Sequence, residues 1–205
     1  MARMDVSGVG SKNDKKLQTK DLIYAGAFAA LYIVIMLMIV LGVGAIAVPL
    51  YLLSPFIMGI VGATIYLLYT LKVHKFGAVL ILGVLFTLST GSFNWLAILT
   101  CLLATIAAEL ILMAGKYRSK SMYMLSYPIF NITMAGPFAM LVVAKEQFLS
   151  VSLSYYGPER MAQMDAMTPG WIWYAQIGLA IIGGVIGVLI AQKFISKHFE
   201  KAGMI

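Results

Sequence analysis

Glu109 is the only formally charged residue well inside an apolar run of this chain. A carboxylate in such a place is expensive to keep and defaults to a functional reading, such as a proton relay, although a lone carboxylate makes a poor relay. The structural alternative is that Glu109, two turns before Lys116, reaches a basic flank or serves a helix interface. His74 and His198 both fall beside basic residues, away from Cys101 and from any in-span serine. The sequence therefore assembles no nucleophile with its base. It also contains no paired carboxylates, no H-E-x-x-H for a metal and no G-x-x-x-x-G-K-[ST] for a nucleotide. No catalytic residue, metal or cofactor is expected, and any ATP hydrolysis would come from a partner. The single Cys101 lies in apolar sequence and carries no information on disulfides.

Uncharged polar and aromatic groups are better placed to bind something. Asn131 and Thr133 sit in mid-run, where such groups form interhelical hydrogen bonds or contact a ligand. Trp95, Trp171, Trp173 and Tyr174 fall near one boundary, with Tyr155 and Tyr156 in the adjoining polar segment. An interfacial aromatic belt is one reading of them, and an outward pocket closed by aromatic faces is the other. The candidate substrate contacts are Asn94, Trp95, Asn131, Trp171 and Tyr155, with residues 145–169 helping to close the cavity.

The elements that must hold these residues are membrane helices. Of 205 residues, 61% are hydrophobic and 11% charged, against about 25% charged in a soluble domain. The expected fold is all-α, a compact bundle of six transmembrane helices. The spans are 22–41, 46–71, 76–90, 96–114, 122–144 and 171–195, within a membrane domain 21–196. A polar segment, 1–20, precedes it and a basic tail, 197–205, follows. The first span ends in a Gly42-Val43-Gly44 turn, and Pro55 is expected to kink the second. The third is short: its 15 residues reach only about 22 Å, less than a ~30 Å bilayer core. The turn 91–95 should then lie within membrane depth, buried in protein or lining a wet cavity. Residues 159–167 are expected to form a short surface helix.

Charge sets the orientation. Of the 15 basic residues only Lys145 and Arg160 fall on the outer side, leaving 13 on the side of both termini. Cytoplasmic flanks carry such an excess, so both termini are expected inside. The net charge of +7 is spread between apolar runs and forms no single patch for nucleic acid. A lipid bilayer is the expected surrounding, in a multi-pass cell-membrane protein.

Two stripes of small residues stand out. Gly183, Gly184, Gly187 and Ala191 suit close helix packing. Ala25, Gly26, Ala29 and Ala30 form a smooth ledge at the charged end of the first span, suited to a touching helix.

Six spans, both termini inside and Ala25-x-x-x-Ala29 on the first helix resemble the substrate-binding S components of energy-coupling factor (ECF) transporters. More narrowly, Asp21–Tyr32 (DLIYAGAFAALY), the Thr168-Pro169-Gly170-Trp171 turn and the ending Lys197-His198-Phe199-Glu200-Lys201-Ala202-Gly203 resemble the MptD-type, or Trep_Strep, family of S components. The resemblance implies a subunit of an ABC-type importer that captures a small vitamin-like micronutrient from outside. It implies partners too, a transmembrane T component and two cytosolic ABC ATPases, joined through Ala25, Gly26, Ala29 and Ala30. Two other classes stay open, a self-sufficient small secondary transporter and a membrane scaffold or assembly factor without a ligand. A secondary transporter should show internal repeats and paired discontinuous helices, and neither is evident in the sequence.

Overall fold

A computed structural model describes residues 17–90 and 94–201, the last five of these by backbone alone. Residues 1–16, 91–93 and 202–205, which include most of the polar N-terminal segment, the centre of the 91–95 turn and the end of the tail, lie outside the described residues. So does the side chain of His198.

Every described element is a helix. The first runs as α1 (Thr19–Leu37), a π-helical stretch Met38–Val43 and a last turn α2 (Gly44–Ile46), together one 28-residue apolar rod. The expected Gly42-Val43-Gly44 turn is therefore absent. Gly44 is small for another reason: a Cβ there would press on Tyr51. The chain breaks instead at Ala47, in extended conformation.

Two helices follow where one kinked span is expected, α3 (Val48–Leu52) and α4 (Ser54–Lys72). Pro49 and Pro55 each stand in the first turn of a helix, where the missing N–H has no intrahelical partner to lose. They start helices here and kink none. The short third element is α5 (Ala78–Ser89), 12 residues or about 18 Å. Then comes α6 (Trp95–Ala114).

The fifth apolar run does not continue as one helix. After α7 (Lys120–Asn131) the backbone tightens into two 3-10 turns, Ile132–Ala135 and Pro137–Ala139, before α8 (Met140–Val143). Pro128 and Pro137 lack the N–H that a continuous helix needs. The Thr133 carbonyl takes the Gly136 N–H and the Cys101 thiol (3.4 Å). Residues 145–169 hold α9 (Lys145–Tyr156), where no helix is expected, and α10 (Pro158–Met167), which matches the short helix expected at 159–167. The last described element is α11 (Ile172–Lys201). Five of the helical runs are long and apolar enough to cross a membrane, and α5 is shorter.

The glycine stripe closes the bundle. A methyl group on Gly183 or Gly187 would run into the Phe56 or Gly59 carbonyl, and one on Gly184 into the Pro128 backbone. Helices α4 and α11 therefore meet backbone to backbone, the contact that small residues permit. A stack of buried rings fills the space between α1, α4, α5 and α7. Tyr32 meets Phe86 edge-on at 6.2 Å and Phe130 at 5.8 Å, and Tyr66 lies 4.9 Å from Phe130 and 5.1 Å from Tyr127.

Candidate functional site

Glu109 is buried, and its carboxylate caps a helix. The N–H groups of Gly77 (3.1 Å), Val79 (2.9 Å) and Leu80 (3.2 Å) donate to it, as does the Tyr117 hydroxyl (2.6 Å). Helix α5 starts from Gly77, which is left-handed (φ 95°) and has no side chain to cap the first turn. A carboxylate from α6 supplies the missing acceptor and sits at the positive end of the helix dipole. Burial, then the hydrogen bond to Glu109, holds the Tyr117 hydroxyl well above the ordinary phenol range, so it remains a donor. Nearby, Lys75 pairs with Asp21 at 2.8 Å and the Tyr69 hydroxyl donates to the Ala78 carbonyl at 2.7 Å. This end of the bundle is tied down by charge.

The small residues of α1 divide between two faces. Ala25 and Ala29 are 1% exposed and continue through Tyr32 and Met36 into the core. Gly26, Ala27 and Ala30 are exposed, and a Cβ on Gly26 would meet nothing within 4 Å. The four residues of the expected ledge thus do not share one face. Consecutive residues lie about 100° apart on a helix, so the 25/29 and 26/30 pairs point apart.

The opposite half is looser. Beneath α9 and α10 lie two adjoining spaces of about 220 and 180 Å³ that share Val40, Leu41, Tyr51 and Phe148. The larger reaches Phe86, Ser89 and Thr90 at the end of α5 and Met134, Pro137 and Phe138 at the break in the fifth run. The smaller runs on between Ser152, Met161 and Met164 toward Tyr156 and Arg160. The Tyr51 ring packs tilted against that of Phe138, 5.1 Å between centroids. Arg160 is the one cation among the described residues on these walls, and its guanidinium donates to the Ala45 (2.7 Å) and Gly44 carbonyls at the end of the first helix. Its charge thereby meets the negative end of a helix dipole. The covering pair α9–α10 turns at Gly157 (φ 80°). Lys145 pins it, bonding the Asp165 carboxylate (2.7 Å) and the Thr168 carbonyl (2.7 Å).

Next to this space is a junction of α4, α7 and α11. Asn131 donates from Nδ2 to the Pro55 (3.0 Å) and Ala180 (2.8 Å) carbonyls. Around it Ser54, Thr133 and Gln176 are fully buried. The Ser54 and Thr133 hydroxyls, the Asn131 Oδ1 and both polar atoms of Gln176 have no hydrogen-bond partner among the described residues. Most buried polar groups are paired, so such a group of orphans calls for an account.

The residues singled out in the sequence come to lie apart. Asn131 is at that junction. Asn94 caps α6, its Oδ1 accepting from the Ala97 N–H at 2.8 Å. Trp95, Trp171 and Tyr155 are exposed. None of the five lines the two spaces beneath α9 and α10. The lining residues that sequence reasoning passed over are Val40, Tyr51, Phe138 and Phe148. Their available signals were Pro49 and Pro137 as helix starters, and the buried side Phe148, Leu149 and Ser152 of an otherwise polar helix.

The family model of Trep_Strep, a hypothetical bacterial integral membrane protein, matches residues 19–201. No curated protein and no solved structure matches the chain. The match covers most of the sequence, and the five long apolar helical runs agree with it: the chain belongs to the Trep_Strep family and is a multi-pass integral membrane protein.

Proposed function

We propose that this protein is the substrate-capturing S component of an ECF-type importer. It takes a small vitamin-like molecule into the space beneath α9 and α10 and passes it inward with a T component and two ATPases. In this reading it crosses the membrane six times, α5 making the short crossing, with both termini in the cytoplasm. Catalysis is left to the partner ATPases.

One observation carries the reading. The half away from the basic end combines a broken helix, a covered cavity and orphaned buried polar groups. A broken helix at membrane depth is tolerated where it is buried in protein or lines a cavity. A scaffold has no need of that combination. The lining is aromatic and Met-rich, with the hydroxyls of Ser89, Thr90, Ser152, Tyr51 and Tyr156 among its neutral polar groups. Such walls suit a small, largely uncharged or aromatic ligand. The one cation, Arg160, is already engaged by two carbonyls.

For docking the partner, the exposed face of Gly26 and Ala30 is the part of the ledge that remains available; Ala25 and Ala29 belong to the core. The test is affinity purification from native membranes in mild detergent, comparing the wild type with Gly26→Trp. The reading expects the wild type to bring down a T component and ATPases, and Gly26→Trp to lose them while keeping its own fold. Wild-type protein that co-purifies with no ATPase would sink it.

A further inference from the structure

We infer that the basic end carries a built site for a phosphate group, and that its natural occupant is the headgroup of an anionic phospholipid. A cleft of about 1030 Å³ opens there between the start of α1, the α4–α5 connection and the α6–α7 connection. Five Lys and Arg side chains line it, Lys20, Lys72, Lys75, Lys116 and Arg118, together with His74, against one carboxylate, Asp21. That carboxylate receives Lys75 and the Gln18 N–H on its Oδ2. Glu109, buried below, is consumed by its four donors. Lys72 lies 4.8 Å over the Tyr24 ring. Lys20, Lys116 and Arg118 are exposed and have no ion pair among the described residues. Among the described residues, five cations therefore face one carboxylate in the cleft, which leaves it with surplus positive charge.

A basic cytoplasmic flank is general among membrane proteins, but this one is shaped. Helix α6 ends in a Schellman turn, with Tyr117 N–H on the Leu112 carbonyl (3.0 Å) and Lys116 N–H on that of Met113 (2.9 Å). The position after the cap in such a turn usually holds glycine. Here Lys116 occupies it at φ 51°, followed by Tyr117 at φ 53°. Two consecutive left-handed non-glycine residues hold the backbone in a conformation that a Cβ disfavours. The Tyr117 anchor on Glu109 holds the loop in that form, which keeps Lys116 and Arg118 on the cleft wall. Strain held in place by surrounding contacts is a mark of functional segments.

The walls favour lipid over free phosphate. Tyr24, Leu71 and Phe76 give the cleft an apolar side, and Phe76 is 54% exposed. On α1, Leu22 and Ile23 next to the rim are exposed as well, where acyl chains can lie while the phosphate meets the cations.

The experiment is native mass spectrometry of the full-length protein in neutral detergent. Phosphatidylglycerol, phosphatidylcholine and inorganic phosphate are titrated separately. Phosphatidylglycerol is expected to bind in preference to phosphatidylcholine. Lys116→Gln and Arg118→Gln should each weaken it about fivefold, the factor for one cation near an anionic headgroup. Lys193→Gln removes the same charge outside the cleft and should leave binding unchanged. Inorganic phosphate binding as tightly as the lipid, and lost in the same variants, would keep the anion site and overturn the lipid assignment. Equal weakening by Lys193→Gln, or no preference for the anionic lipid, would overturn the site. Circular dichroism melts of each variant separate lost binding from lost fold. The outcome does not depend on capture at the other end, so the two readings fail separately.

Discussion

At the basic end Glu109 is buried with four donors around its carboxylate, whereas in the opposite half Ser54, Thr133 and Gln176 are buried with polar atoms that have no partner among the described residues. Both arrangements put polar groups where water is scarce, but among the described residues only the first is complete. The contrast teaches that the charged residue marks where the fold is tied, whereas the uncharged orphans mark where burial is not matched by hydrogen bonds among the described residues. A lone intramembrane carboxylate reads by default as a functional group; here it serves as the cap of a short helix.

The largest expected effect breaks the tied end. Glu109→Gln keeps the shape but turns an amide toward N–H donors that need an acceptor. It should destabilise the protein by about 2–4 kcal/mol, read as a fall in thermal midpoint in detergent. An unchanged midpoint would remove Glu109 as the cap of α5.

Next comes the pair on α1. Ala29→Trp forces bulk into the core beside the Tyr32 cluster and should destabilise by about 1–3 kcal/mol or prevent folding. Gly26→Trp faces outward and should change stability by no more than about 0.5 kcal/mol. If the two variants melt alike, α1 does not have the inner and outer faces described.

The loose half should answer in the opposite direction from Glu109. Thr133→Val replaces an orphaned hydroxyl with a methyl of the same shape, which is near neutral or stabilising by up to about 1 kcal/mol. A loss of more than 1 kcal/mol would mean that this hydroxyl is already satisfied in the empty protein. Smallest in energy is a labelling test of topology. Cysteines at Ser119 and Ser154 should react from opposite sides of the membrane, Ser154 from outside; reaction of both from one side contradicts six crossings.

Much of the helical layout is legible in the sequence, because apolar runs between basic flanks have few other solutions. The short α5 and the glycine stripe of α11 are read this way. The prolines are ambiguous: Pro49 and Pro55 start helices, while Pro128 and Pro137 accompany a real break, and local sequence does not separate the cases. Helix α9 hides because its buried side is only a few residues wide among serines and tyrosines. The site is less legible still. Spacing shows that Ala25 pairs with Ala29 and Gly26 with Ala30, but not which pair a neighbouring helix will cover. Trp95, Trp171 and Tyr155 looked like pocket walls by type, yet they lie at the surface. Tyr51, Phe138 and Phe148 become neighbours only once three separate connections fold over the end of the first helix.

The central claim is capture beneath α9 and α10, and the most direct measurement is of what the protein carries. Protein purified from native membranes would be denatured and the released small molecules identified by mass spectrometry. Wild type is compared with Val40→Trp, which fills the wall shared by both spaces, and with Lys193→Gln as a remote control. The account predicts one small, largely uncharged or aromatic compound at near-stoichiometric amount from wild type and Lys193→Gln. It predicts almost none from Val40→Trp at an unchanged thermal midpoint. The same compound recovered undiminished from a well-folded Val40→Trp would contradict it.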